Sequence, residues 1–107
     1  MSEIKFSPES VSDLKEIRKY ISDDLENKVA ADNTVALILG EIKGLSTFPK
    51  SGSPLSSIVK ISTDYRYIVC KNYMVFYRCE NDTVYVSRIL YGKMNYMKVL
   101  FGDVSEE

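Results

Sequence analysis

Five side chains in the second half of this 107-residue chain have the chemistry to act on a phosphodiester: Arg66, Arg88, Lys93, Tyr91 and Tyr96. Cleaving RNA without histidine requires a 2′-hydroxyl to attack the adjacent phosphate while other groups stabilise charge and relay protons. Arginine suits the first task, because its planar fork matches phosphate oxygens and stays ionised, and for the same reason it is poor at the second. Tyrosines can also stack bases. Arg66, Arg88, Lys93 and Tyr91 are therefore the candidate catalytic residues. Tyr73, Tyr77, Arg78, Tyr96, Leu100 and Phe101 are candidates for binding a partner or RNA.

Other chemistries are excluded by residue type. The chain has no histidine, so a Ser-His-Asp triad, a Cys-His dyad, an HExxH zinc site and a histidine-based nuclease cannot be built. The glycines at 40, 44, 52, 92 and 102 match no phosphate-loop spacing. Asp23 and Asp24 stand together in a helix-breaking turn, where solvated charge accounts for them. Neither a metal nor a cofactor is expected.

Three short strands must position these groups. Residues 65–71, 73–80 and 83–91 are rich in β-branched and aromatic residues with period-two alternation. Lys71-Asn72 and Asn81-Asp82 lie between them, at turns where Asn or Asp tolerates positive φ. The reading is an antiparallel meander. With two-residue turns, Arg66 falls opposite Tyr77, Tyr77 opposite Val86, and Val75 opposite Arg88. Arg66, Arg88, Tyr73 and Tyr77 then share one partly open face, while Tyr67, Val69, Met74, Phe76 and Ile89 face the helices and the core.

Upstream, Ile4-Lys5-Phe6 forms a short strand ended by Ser7-Pro8, a helix cap followed by a residue suited to the first turn. Val11, Leu14, Ile17, Ile21 and Leu25 make one apolar stripe at helical spacing, and Ala31, Thr34, Val35, Ile38, Ile42 and Leu45 make a second. The short break at residues 23–27 makes the two helices antiparallel neighbours. Residues 47–63, rich in Ser, Pro and Gly, cross the surface with little regular structure. Residues 94–101 form a short third helix, and 102–107 read as a frayed tail. Strands following helices, without βαβ alternation, place the fold in the α+β class. At this length the chain is one domain.

Net charge is −1, which supplies no global attraction to nucleic acid. Its distribution is uneven: residues 65–101 carry a net charge of +4 and residues 1–64 a net charge of −2. The sheet is the basic part of an acidic protein. Cys70 and Cys79 fall near opposite ends of one hairpin, too far apart for a disulfide. No apolar run is long enough for a membrane span, and the first residues, Met-Ser-Glu-Ile-Lys, do not resemble a signal peptide. A cytoplasmic protein without membrane contact is expected.

The Phe48-Pro49 and Gly52 loop, the run Tyr73-Met74-Val75-Phe76-Tyr77-Arg78, and Arg88-Ile89-Leu90-Tyr91-Gly92-Lys93, taken in this order, resemble the RelE/ParE toxin superfamily of type II toxin–antitoxin (plasmid stabilisation) systems. The likeness covers nearly the whole chain and is closer to the ParE-like branch. It implies growth arrest relieved by a cognate antitoxin, with DNA gyrase as the target. In the RelE-like branch the target is the ribosome and its mRNA, cut by an endoribonuclease. Arg66 matches a basic second-strand position of that branch and Lys93 the lysine of its Gly-Lys-Arg turn. Met74, Met94 and a position at or near Leu100 stand where that branch carries Arg, Arg and Tyr, and with Met94 and Asn95 in the turn a third reading is a degenerate module that binds the antitoxin and has weak toxicity. A second copy of the chain is a further candidate partner.

Overall fold

The computed structural model describes residues 1–102 of the chain. The expected frayed tail falls almost entirely on residues 103–107, outside the described residues. Strand β1, Glu3–Phe6, ends at Ser7, whose side chain accepts a hydrogen bond from the Ser10 amide, and Pro8 begins α1, Pro8–Lys19. This satisfies one of the amides that a helix start leaves unpaired. A wider turn of helix, Tyr20–Asp24, continues α1. Asn27 then caps α2, Lys28–Gly44, through the Ala30 amide. Ile17 and Ile21 from the first stripe are buried with Ala31, Thr34, Ile38, Ile42 and Leu45 from the second. Val11 and Leu25 remain exposed.

A five-stranded sheet lies against this hairpin, in the order β1-β5-β4-β3-β2. The meander is β3 (Arg66–Cys70), β4 (Tyr73–Glu80) and β5 (Thr83–Tyr91). Strand β1 adds parallel to β5, and the two-residue β2, Ser53–Pro54, adds antiparallel to β3. The long loop thus contributes an edge strand and the turn Leu55–Ser57, more regular structure than its composition suggests. Asn81 and Asp82 both carry positive φ, the pattern of a tight hairpin turn. In the other turn Lys71, not Asn72, carries it. Helix α3, Tyr96–Phe101, closes the described chain.

Arg66 pairs with Tyr77 and Tyr77 with Val86, as the turns predict. The register then breaks between Phe76 and Tyr77, so Arg88 stands opposite Phe76 and Val75 opposite Ile89. The extra residue is Ser87, a bulge that shifts everything after it by one position. The expected pairing of Val75 with Arg88 is corrected accordingly.

The assignment of faces is corrected too. Tyr73, Val75 and Tyr77 belong to the core cluster under α1 and α2, together with Ile89. Met74, Phe76 and Tyr67 lie on the opposite side, in a second cluster with Leu55 and Leu90 beneath α3. Val69 is 59% exposed. The meander is apolar on both faces, so alternation alone does not say which face takes the helix pair. The Tyr77 hydroxyl decides it, because it reaches the backbone at Gly52 and so can be buried without an unpaired polar atom.

Candidate functional site

Arg66 begins β3, and its guanidinium turns back to the loop before β2. Its Nε and Nη2 donate to the Gly52 carbonyl at 3.1 and 2.9 Å, and Nη2 also donates to the Lys50 carbonyl at 3.1 Å. Tyr77, fully buried, accepts a hydrogen bond from the Gly52 amide at 3.0 Å. Burial pushes the Tyr77 phenol above its usual pKa, with the Gly52 bond acting in the opposite direction. Arg66 and Tyr77 therefore hold the loop to the sheet from one cross-strand pair.

Arg88 is held elsewhere. Its Nε and Nη2 donate to the two carboxylate oxygens of Asp13 on α1, both at 2.8 Å, and the Ile89 amide donates to the same carboxylate at 2.9 Å. The hydrogen bond to Asp13 raises the Arg88 pKa, burial opposes it, and the charges of Asp13, Glu9 and Glu16 add to the rise. Sequence reasoning missed Asp13. The available signal was its phase: Ser10, Asp13 and Ile17 recur at helical steps, and all three are buried, so an acid inside that row needs a basic partner.

Tyr91 and Lys93 come together at the other end of the sheet, lining a cleft of about 230 Å³ with Val69 and Tyr73. Tyr91 stacks edge-on with Tyr73, ring centres 6.0 Å apart. Burial, followed by the nearby Tyr20 and Tyr91, pushes the Tyr73 phenol up. Arg66 pairs with Tyr77 and Tyr91 with Tyr73, four residues apart on β4, which separates them by roughly 13 Å. Of the four residues proposed for catalysis, Arg66 stands apart, while Tyr91 shares one cleft with Lys93 and a second groove with Arg88.

A larger groove, about 620 Å³, runs between α1 with the helical turn that follows it and the C-terminal end of β5, lined in part by Asp13, Tyr20, Tyr73, Arg88, Tyr91 and Met94. Tyr96 sits over Phe76 with ring centres 5.2 Å apart, and Phe101 meets Tyr65 edge-on at 5.8 Å. With Leu100 they are half-buried in the second cluster. Arg78 is exposed and lies 5.6 Å over the Tyr65 ring. Among the described residues no group of His, Cys, Asp and Glu is placed to hold a metal ion, and no helix is long and apolar enough to cross a membrane.

Residues 4–96 match the family model for the ParE toxin of the type II toxin–antitoxin system parDE. The chain belongs to the ParE toxin family. That match spans both helices, the whole meander and the groove. Among solved structures, the chromosomal ParDE system from P. aeruginosa aligns with a TM-score of 0.72 at 19% identity, covering 85% of this chain and 96% of that one. The RelB-RelE antitoxin–toxin complex from Methanococcus jannaschii aligns at 0.49 with 21% identity, covering 90% and 96%. YafQ from E. coli strain BL21(DE3) aligns at 0.48 with 17% identity, covering 95% and 100%. No curated protein matches significantly. The likeness to the ParDE structure establishes a shared fold, and the family match makes this chain a type II toxin.

Proposed function

We propose that this ParE-family toxin arrests growth by binding its target, DNA gyrase, rather than by cutting RNA, and that a cognate antitoxin neutralises it. The observation that carries this reading is how the two arginines are engaged. Arg88 is bound in bidentate fashion by Asp13, and Arg66 is spent on two backbone carbonyls. An arginine that must clamp a phosphate in a transition state needs its fork free. Tyr73 and Tyr77, both with raised pKa values, are poor proton relays near neutral pH. What the surface offers instead is an apolar recess: Tyr20, Leu25, Tyr91 and Met94 are all partly exposed around the groove. Such a lining suits the apolar side of a partner segment that orders on binding.

The test is a supercoiling assay with purified gyrase alongside induction in bacteria. Inhibited supercoiling, filamentation and DNA damage are expected, each relieved by co-expressing the antitoxin. Rapid loss of translation with cleaved messages and unaffected gyrase would overturn the reading in favour of a ribosome-dependent endonuclease that works through Lys93 and Tyr91.

A further inference from the structure

One row of side chains lies outside the groove and, except for Tyr65 at its end, which packs against the second cluster, outside the core. On the sheet face away from α1 and α2, Lys5 stands beside Tyr85, Tyr85 beside Arg78, and Arg78 over the ring of Tyr65. Their in-register neighbours confirm the face: Ile4, Val84 and Cys79, one residue earlier or later on the same strands, pack into the helix-side core. The row therefore crosses β1, β5 and β4 and ends at Tyr65, just before β3, as cation, aromatic, cation, aromatic. Lys5 and Arg78 are exposed, and Tyr85 and Tyr65 are half-buried. Three strand spacings make it roughly 14 Å long.

We propose that this row is a binding strip for a single strand of nucleic acid, with Lys5 and Arg78 contacting phosphates while Tyr85 and the outer plane of the Arg78 guanidinium stack bases. Four-stranded sheets that bind single-stranded RNA stack about two or three bases over a comparable span. Aromatic and guanidinium faces accept any base, so such a strip is tolerant of sequence. Its borders select the occupant. On one side lie Glu3, Thr83 and Glu80, paired across the next row, and two carboxylates there repel a second phosphate chain. On the other side α3 covers Phe76 and Met74. A duplex keeps its bases paired and stacked, and so offers Tyr85 no free base face. An acidic peptide would meet the cations but leave the tyrosine face without a planar partner, so charge and stacking together favour nucleic acid.

The strip is tested on the full-length protein by fluorescence anisotropy with labelled oligothymidylate, since stacking and phosphate contact do not depend on the sugar. Binding is expected at low salt, with a log–log salt slope of about −1.4, the value for two phosphate contacts on a single strand. Arg78→Ala should halve that slope, and Tyr85→Ala should weaken binding about tenfold. Glu80→Lys, which adds a cation beside the row, should tighten it. That gain guards against losses caused merely by unfolding. Absence of binding at low salt, unchanged affinity in both Arg78→Ala and Glu80→Lys, tighter binding of the matching duplex, or stronger binding of oligoglutamate than of oligothymidylate would each overturn the proposal. Gyrase inhibition is a separate readout, so failure of the strip leaves the proposed target untouched.

Discussion

The Asp13 carboxylate on α1 collects three donors from β5: two from the Arg88 guanidinium and one from the Ile89 amide, all within 2.9 Å. Asp13 is only 7% exposed and the Arg88 side chain 29%. The bulge at Ser87 makes this possible, since it brings Arg88 and the Ile89 amide toward one helix after the register changes. Removing one member of a buried pair leaves the other charge without compensation. Asp13→Ala should therefore cost about 3 kcal/mol, more than Arg88→Met, which removes the cation but leaves Asp13 its bond from Ile89. Urea denaturation of the two variants checks the order. Equal losses would mean the backbone contact contributes little.

Gly52 is wedged where no side chain fits. A Cβ built there would lie 2.5 Å from the Tyr77 hydroxyl oxygen and 2.6 Å from the Tyr67 carbonyl oxygen. Gly52→Ala should cost about 2 kcal/mol or more, because overpacking a fixed site forces backbone shifts. The shift also pulls on the carbonyl that Arg66 holds. Faster amide exchange across residues 50–54 is expected, and unchanged exchange would show that the loop has slack.

Gly40 has the opposite expectation. It lies within α2, and nothing stands within 4 Å of a Cβ placed there. A helix-interior glycine lowers stability through the entropy of the unfolded chain. Gly40→Ala should raise stability by about 0.5–1 kcal/mol, read from the thermal midpoint. A loss instead would mean that this outer face of α2 is covered in solution.

Much of this arrangement was legible in the sequence, and the exceptions have physical causes. The β4 and β5 boundaries follow from alternation and two turn dipeptides, and Arg66 opposite Tyr77 follows from the turn length. The helix stripes are read from their apolar spacing. Ser87 carries no mark of a bulge, since serine suits a strand, a turn or a cap equally well, and the position of Arg88 depended on it. The choice of face was illegible because Met74 and Phe76 are as apolar as Val75 and Tyr77, and only the long-range bond to Gly52 separates them. Asp13 was legible by phase alone, once its place in the row with Ser10 and Ile17 is noticed.

The two thiols give the final prediction. Burial is the main cause raising both Cys70 and Cys79, aided at Cys70 by Glu41 and opposed at Cys79 by Arg66 and Lys50. A group with its folded pKa above the unfolded value favours the native state fully below the unfolded pKa. That contribution is lost as pH rises through the folded pKa, because the unfolded chain ionises first. Cys70 and Cys79 should thus begin to destabilise the fold above about pH 8.5, with Tyr73 and Tyr77, also raised, following above about pH 10. Urea midpoints measured from pH 7 to 11 should stay level and then fall, and Cys70→Ala with Cys79→Ala should remove the first part of that fall. Because the reactive species is the thiolate, disulfide-exchange reagents at neutral pH should label the native protein slowly. Cys79, half-buried with its Sγ donating to the Pro49 carbonyl at 3.4 Å, should react before the buried Cys70. Rapid labelling of Cys70 without denaturant would show that α2 opens from the sheet far more often than its packing implies.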